Sequence, residues 1–172
     1  MNILIIGGVG FLGRHLSLTI EKQKLAKHLC IVDKRVPEMV HLSNEMMTVI
    51  APNFQQADMS NPSTATRIFG LHKWDWVFNL QSELPFDANE YFFETEIYNR
   101  SLIVGTKAAE CGVRCLVQCS GTEVYKGSSG LQNEDAPLKP STRKGKWILK
   151  TEQGLQAIHG YFMLKWQGIL IQ

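Results

Sequence analysis

The chain has 172 residues, of which 44 % are hydrophobic and 20 % charged, a size and composition typical of one globular domain. Its 18 lysines and arginines exceed its 16 aspartates and glutamates by only two, and these charges are scattered along the sequence. The sequence therefore predicts neither a basic surface for nucleic acid or anionic membranes nor a transmembrane helix, since no apolar run is long enough to span a bilayer.

The cysteines and histidines predict no metal site. The four cysteines, Cys30, Cys111, Cys115 and Cys119, lie on or beside predicted core strands and lack the paired spacing of zinc ligands. We therefore expect buried free thiols and a reducing compartment. The first predicted strand begins at residue 2, which leaves no room for a cleaved targeting segment, so the expected location is the cytoplasm.

The first element is a short apolar run over residues 3–6 that predicts a buried parallel strand. Gly7, Gly10 and Gly13 follow at intervals of three. The first permits a tight turn, the second leaves space for a diphosphate, and the third lets a helix pack closely on the strand. A helix beginning near Gly10 directs its free N–H groups and the positive end of its dipole at that anion site. The apolar stripe predicted for this helix consists of Phe11, Leu12, Leu16 and Ile20.

The second strand, over residues 29–32, ends at Asp33, twenty residues after Gly13. A carboxylate at this distance can accept hydrogen bonds from the ribose hydroxyls of an adenosine. The alternative is a glycine-rich turn followed by an unrelated surface aspartate, but the order of strand, turn, helix, strand and acid favours a dinucleotide site. Lys34 and Arg35 could receive a 2′-phosphate, so NAD is favoured while NADP stays open.

The rest of the chain alternates short apolar runs with helical patterns, as expected for βαβ units. The predicted elements are a loop with one short helix over 36–53, a strand over 54–57 ending at Asp58, a helix over 61–69, a strand over 74–80, a long helix over 88–111 and a strand over 113–119. The side chains expected on one side of the long helix are Tyr91, Phe92, Thr95, Tyr98, Leu102, Thr106 and Ala109. Gly112 would end that helix. The fold class predicted is α/β, a three-layer, doubly wound parallel sheet of the Rossmann type.

Several of these motifs resemble the extended short-chain dehydrogenase/reductases, the NAD-dependent epimerase/dehydratase group that includes 3β-hydroxysteroid dehydrogenase-like proteins. The turn over residues 7–13 resembles the group's glycine fingerprint, and Asp33 resembles its ribose-binding acid. The resemblance spans about residues 2–158 and leaves 159–172 as a divergent tail. It implies that residues 1–172 form one NAD(P)-binding domain without the substrate domain that follows in such enzymes.

The resemblance also implies which residues bind the cofactor. They are Gly7, Gly10, Phe11, Leu12, Gly13, Asp33, Lys34, Asp58, Met59, Leu80, Gln81 and Ser82. Gln81 and Ser82 stand where the family usually has two alanines beside the cofactor.

The catalytic residues of the family have no obvious counterparts here. The family moves a proton with a serine or threonine, a tyrosine, and a lysine four residues after the tyrosine, which lowers the pKa of the phenol. The matching positions hold Gly121, Lys144 and Ile148.

Three substitutes for these groups are conceivable. Ser120 or Thr122 could supply the hydroxyl if the strand end shifted. Lys144 could act as a base if burial or a neighbouring cation lowered its pKa. Tyr161 and Lys165 have the catalytic spacing but come seventeen residues late. We expect Ile148 instead to join Thr151, Leu155 and Ile158 in a stripe that packs on the sheet.

Three functional hypotheses follow. The first is an NAD(P)-binding protein of the epimerase/dehydratase group that is truncated or catalytically impaired, a pseudoenzyme. The second is an active oxidoreductase or sugar-nucleotide epimerase/dehydratase with atypical catalytic residues. The third is a non-catalytic interaction or regulatory subunit, in which the 88–111 helix mediates homodimerisation as the equivalent helix does in similar proteins.

Overall fold

A five-stranded parallel sheet forms the centre of the protein. The computed structural model describes residues 1–81, 88–125 and 136–158. The strands are β1 (Asn2–Ile6), β2 (His28–Asp33), β3 (Phe54–Gln56), β4 (Trp76–Asn79) and β5 (Cys115–Gln118). Their spatial order is β3-β2-β1-β4-β5, so the direction of winding reverses between β1 and β4. A crevice at the carboxyl ends of the strands is expected at such a reversal.

Helices cover both faces of this sheet. The α-helices are α1 (Phe11–Lys22), α2 (Asn44–Ile50), α3 (Pro62–Phe69), α4 (Glu90–Phe93), α5 (Arg100–Glu110) and α6 (Arg143–Ala157). Side chains of α3, α5 and α6 pack with Leu4 and Ile6 of β1 on one face. Side chains of α1 pack with Ile3 and Ile5 on the other face, where α2 also packs. The three-layer, doubly wound α/β fold is confirmed.

Each boundary has a local cause. The side chain of Asn61 accepts hydrogen bonds from the first turn of α3, and Thr142 caps α6 in the same way by accepting from Gly145 N. Gly112, with φ of +65°, ends α5 in the left-handed conformation that glycine adopts most easily. The loop predicted over 36–53 contains α2, as expected, flanked by 3-10 turns at Pro37–Met39 and Ala51–Asn53.

The long helix differs from the prediction because it is not a regular α-helix. A π-helical turn, Glu94–Asn99, separates α4 from α5. The residues that this segment buries are Phe93, Ile97, Arg100, Ser101, Val104, Gly105 and Ala108. The predicted side is therefore wrong, and Tyr91 is 76 % exposed.

Two further side chains are more exposed than expected. Phe11 is 62 % exposed and does not belong to the apolar stripe of α1, which consists of Leu12, Leu16 and Ile20. Cys111 is exposed because it follows the last turn of α5, whereas Cys30 is buried; all four cysteines are free thiols.

The stripe predicted for α6 is confirmed, with Ile158 partly buried against the core. Ser82, Tyr161, Lys165 and the 159–172 tail lie outside the described residues.

Candidate functional site

The glycine turn between β1 and α1 leaves one open position. Gly7 has φ of +83°, and the N–H groups of Gly7 and Gly8 donate to Val32 O at 2.8 and 3.1 Å. A Cβ at Gly13 would lie 2.4 Å from Gly7 O, so this glycine allows α1 to pack against the turn. A Cβ at Gly10 would meet only Gly7 O, at 3.1 Å. The N-cap of α1 is Gly10, which has no side chain to cap the first N–H groups of the helix.

Asp33 is fixed beside this turn by backbone hydrogen bonds. Its Oδ2 accepts from Val9 N at 3.3 Å, and its Oδ1 accepts from Arg35 N at 3.1 Å. The side chain is buried, with 6 % exposure for the residue. A carboxylate has about four acceptor positions, so these two bonds leave capacity for hydroxyl donors.

A cavity of about 240 Å³ and another of about 340 Å³ lie at this end of the sheet. The larger, which we call the glycine-turn cavity, is lined by Gly7, Gly10, Phe11, Leu12, Asp33, Lys34, Arg35, Leu80, Gln81 and Arg100. Eight of the predicted cofactor residues therefore line one cavity. Gly13 lies under the turn, and Met59 is completely buried in the core.

Asp58 lies close enough to the glycine-turn cavity to interact electrostatically with its cations. Burial acts to raise the pKa of the Asp58 carboxyl. Hydrogen bonds from Ser60 and the charges of Lys34 and Arg100 outweigh burial, so the pKa lies below its usual value. Asp58 is thus an ionised neighbour of the cavity at neutral pH.

Arg100 is a lining residue that sequence reasoning missed. It is only 4 % exposed, and its Nη1 donates to Glu96 Oε2 at 2.6 Å. Burial lowers the pKa of Arg100, while Glu96, Asp58 and Asp33 act to raise it. The only signal in the sequence is that Glu96 and Arg100 are four residues apart. Ion pairs at this spacing are common on exposed helices.

The smaller cavity, which we call the α6 cavity, contains the three positions that resemble the family's catalytic ones. Its lining includes Gln81, Glu96, Ile97, Ser101, Gln118, Cys119, Ser120, Gly121, Glu123, Lys144, Ile148, Thr151 and Glu152. Gly121 comes from the loop after β5, whereas Lys144 and Ile148 lie one turn apart on α6. Gln81 lines both cavities, so the two adjoin just after β4, and we refer to them together as the groove.

Two carboxylates accept hydrogen bonds from polar side chains in the α6 cavity. Lys144 Nζ donates to Glu123 Oε1 at 2.7 Å. Burial acts to raise the pKa of Glu123, but the hydrogen bond and charge of Lys144 outweigh it, and the pKa lies below its usual value. Ser120 Oγ donates to the buried Glu152 carboxyl. Lys144 therefore faces an acid and not a neighbouring cation.

Two buried acceptors near the junction of the cavities have no hydrogen-bond partner among residues 1–81, 88–125 and 136–158. Asn79 donates its Nδ2 to Gln118 Oε1 at 2.8 Å, but its own Oδ1 accepts no hydrogen bond. Gln81 Oε1 is also buried and accepts none. Buried acceptors normally have a partner, so this end of β4 is suited to a ligand or water that donates.

Within residues 1–81, 88–125 and 136–158, no group of three or more histidine, cysteine, aspartate or glutamate side chains could hold a metal ion. Over the same ranges, none of the helices has the length and hydropathy needed to span a bilayer.

Comparison with known proteins identifies the family. Residues 3–144 match the model of the NAD dependent epimerase/dehydratase family. The chain belongs to this family. The resemblance found in the sequence is thereby confirmed.

Among curated members of the family, the UDP-glucose 4-epimerase of Neisseria meningitidis is 26 % identical over 150 residues, which are 82 % of this chain and 43 % of that enzyme. The UDP-Glc/GlcNAc 4-epimerase of Campylobacter jejuni matches with a TM-score of 0.76 and 18 % identity, over 95 % of this chain and 52 % of that one. The UDP-glucuronic acid 4-epimerase of Bacillus cereus, solved with NAD, matches with a TM-score of 0.77 and 19 % identity. This match covers 97 % of this chain and 56 % of that one. The chain thus spans about half the length of these relatives.

Proposed function

We propose that the chain binds NAD in the groove formed by the glycine-turn cavity and the α6 cavity. The observation that carries this proposal is the Asp33 carboxylate, fixed by Val9 N and Arg35 N beside the open Gly10 position. Asp33 would accept hydrogen bonds from the adenosine ribose, and the first N–H groups of α1 would face the diphosphate. Membership of the family supports the same cofactor.

The groove fits a dinucleotide in two respects. A side chain at Gly10 would project where the diphosphate must approach the turn, and glycine keeps this space clear. Further along, the buried Gln81 Oε1 offers an acceptor to a donor such as a ribose hydroxyl or a carboxamide. Gln81 stands between the two cavities, so such a donor would belong to the middle or nicotinamide part of the cofactor.

We also propose that proton transfer is impaired in this chain. When bound, NAD supplies a hydride acceptor, and the oxidation of an alcohol also requires a group that takes the hydroxyl proton. Gly121 and Ile148 offer no titratable side chain, and Lys144 donates to Glu123. The chain would therefore hold its cofactor without an efficient base beside the nicotinamide.

A binding titration tests the first proposal. Calorimetry with NAD⁺ and NADH should give saturable binding to the wild type and much weaker binding to Gly10→Val. Gly70→Val is the matched control, because Gly70 is exposed at the end of α3, away from the groove. Equal affinity of the wild type and Gly10→Val would refute the assignment of the turn to the diphosphate.

The second candidate is an active enzyme with atypical residues, and the Glu123–Lys144 pair is the observation that favours it. This pair places a carboxylate and an ammonium in the α6 cavity, where they could exchange a proton with a substrate. The curated relative is named a UDP-glucose 4-epimerase, so sugar nucleotides are the first substrates to test, followed by hydroxysteroids. Substrate-dependent NADH formation would support this candidate. Tight cofactor binding without turnover would exclude it for the substrates tested.

The third candidate is association through the 88–111 helix. Leu102, Ile103 and Thr106 line an open groove on the outer side of α5, next to Pro62 of α3. Such a surface could receive the same helix of a second copy. Sedimentation analysis distinguishes the outcomes, since a stable dimer supports this candidate and a monomer at all concentrations opposes it. A monomer that also ignores NADH would oppose the first proposal as well.

A further inference from the structure

One carboxylate engages two of the three cations that line the glycine-turn cavity. Glu96 Oε2 lies 2.6 Å from Arg100 Nη1 and 3.7 Å from Lys34 Nζ. Lys34 follows the end of β2, whereas Glu96 belongs to the helical segment that packs beyond β4. The Lys34–Glu96 pair therefore reaches across the groove between these elements.

The π-helical turn determines where Glu96 lies. Glu96 is inside this turn and lines the α6 cavity, and Arg100 begins the α-helix that follows and lines the glycine-turn cavity. An extra residue rotates the following helix by about 100° relative to a regular α-helix. Glu96 and Arg100 line the two parts of the groove, and π-helical turns are frequent at functional sites.

Lys34 and Arg100 already face acids. Glu96 is paired with both of them, and the charges of Asp58 and Asp33 also act on Arg100. Arg35 lines the same cavity, and its backbone N–H donates to Asp33 Oδ1. NAD presents a neutral 2′-hydroxyl at this place, and Asp33 can accept a hydrogen bond from it. NADP presents a phosphate with a charge of about −1.5 to −2, which needs an available cation.

We propose that Glu96 is a specificity-determining residue that maintains a preference for NAD over NADP by neutralising Lys34. This inference rests on the proposed NAD site. A 2′-phosphate would have to displace Glu96 from Lys34 while standing next to the Asp33 carboxylate. Lys34, one of the two cations that the sequence places beside Asp33, is thus engaged with an acid that the sequence alone does not bring near it.

The test compares the dissociation constants of NAD⁺ and NADP⁺ for the wild type and Glu96→Gln, measured by calorimetry. Glutamine keeps an acceptor for Arg100 but removes the charge, so NADP⁺ should gain about tenfold relative to NAD⁺. Glu94→Gln is the matched control, since Glu94 lies on the same turn but lines neither cavity. Adding Lys34→Met to Glu96→Gln should abolish the gain.

An unchanged ratio in Glu96→Gln, or a gain that survives Lys34→Met, would overturn the role of Glu96 while leaving the NAD site intact. Lys34→Met in the wild-type background gives a test that does not require Glu96→Gln to fold. Because Lys34 is engaged with Glu96, this change should alter NADP⁺ affinity less than about twofold. A large loss would contradict the proposal, and a wild type that binds neither cofactor would refute the NAD site itself.

Discussion

The Glu123 carboxylate and the Lys144 ammonium form a hydrogen-bonded ion pair of 2.7 Å in the α6 cavity. The pair determines what can stand at position 121, because a Cβ there would lie 2.3 Å from Glu123 Oε2. The same Cβ would lie 3.1 Å from Ile148 Cδ1. Gly121, Glu123, Lys144 and Ile148 are therefore sterically coupled, and restoring a single family-like residue should not restore the family-like site.

Gly121→Ser tests this coupling. The new side chain must displace the Glu123 carboxylate, the flexible end of a partly exposed side chain, so we expect a loss of about 1 kcal/mol in the free energy of unfolding, the low end for overpacked sites. In Gly121→Ser/Glu123→Ala the obstructing carboxylate is absent, and the penalty of the serine should shrink. Urea unfolding of the single and double variants measures the non-additivity. Additive effects would show that Glu123 does not limit position 121.

The low pKa of Glu123 predicts a pH dependence of stability. Its pKa is below the ordinary value of 4.5 because the Lys144 hydrogen bond and charge outweigh the effect of burial. The unfolded chain therefore binds the proton more readily, and the stabilisation is present above pH 4.5 and lost as the pH falls through the folded pKa. Glu123→Gln should flatten this part of the stability curve in urea unfolding. An identical acid dependence of Glu123→Gln and wild type would contradict the prediction.

The thiols should differ in reactivity. Burial raises the pKa of Cys30 to about 11, although the charge of Arg67 opposes this effect. Burial also raises the pKa values of Cys115 and Cys119, whereas Cys111 is exposed. Mass spectrometry after brief alkylation of the native protein should find the label on Cys111 first, and Cys111→Ser should remove the fast phase. Rapid labelling of Cys30 would show that the β2 core opens.

Two glycines of the turn should differ in how much the folded protein depends on them. At Gly13 a Cβ would lie 2.4 to 2.8 Å from the backbone of Gly7 and Gly8, so Gly13→Ala should destabilise the apoprotein by about 3 kcal/mol. At Gly10 the nearest atom is Gly7 O at 3.1 Å, and Gly10→Ala should affect stability much less. Thermal unfolding without cofactor compares the two. Equal destabilisation would contradict the open position assigned to Gly10.

Short-range sequence patterns predicted those elements of the fold that depend on residues near one another in the chain. The apolar run of β1, the glycine spacing and Asp33 lie within one βαβ unit, and in the structure β1 forms while Gly7, Gly10 and Asp33 line one cavity. Beyond Asn99 the predicted side of the long helix was wrong because a π-helical turn changes the phase of every residue after it. Tyr91 precedes this turn, so the turn does not explain its exposure. Amphipathic periodicity assumes a constant turn and gives no sign of such an insertion.

Contacts between distant elements were outside the reach of sequence patterns. Arg100 reads as one half of an exposed helical ion pair, but tertiary packing buries it near Asp33 and Asp58. Lys144 stands among other cations in the sequence, Arg143 and Lys146, yet its partner Glu123 comes from the loop after β5. In both cases the residue types were visible in the sequence, and only the fold specifies the charge that each one meets.

Gln81→Ala should weaken the binding of NAD⁺ without destabilising the free protein. Its Oε1 is buried and accepts no hydrogen bond from the part of the chain that the structure describes, so Gln81→Ala should leave the apoprotein as stable as wild type or slightly more stable. The same change removes an acceptor from the middle of the proposed groove and should weaken NAD⁺ binding about fivefold, the value of one hydrogen bond. Binding of 5′-ADP, which does not reach past the diphosphate, should be unchanged. Stronger NAD⁺ binding by Gln81→Ala would instead mean that the side chain obstructs the groove.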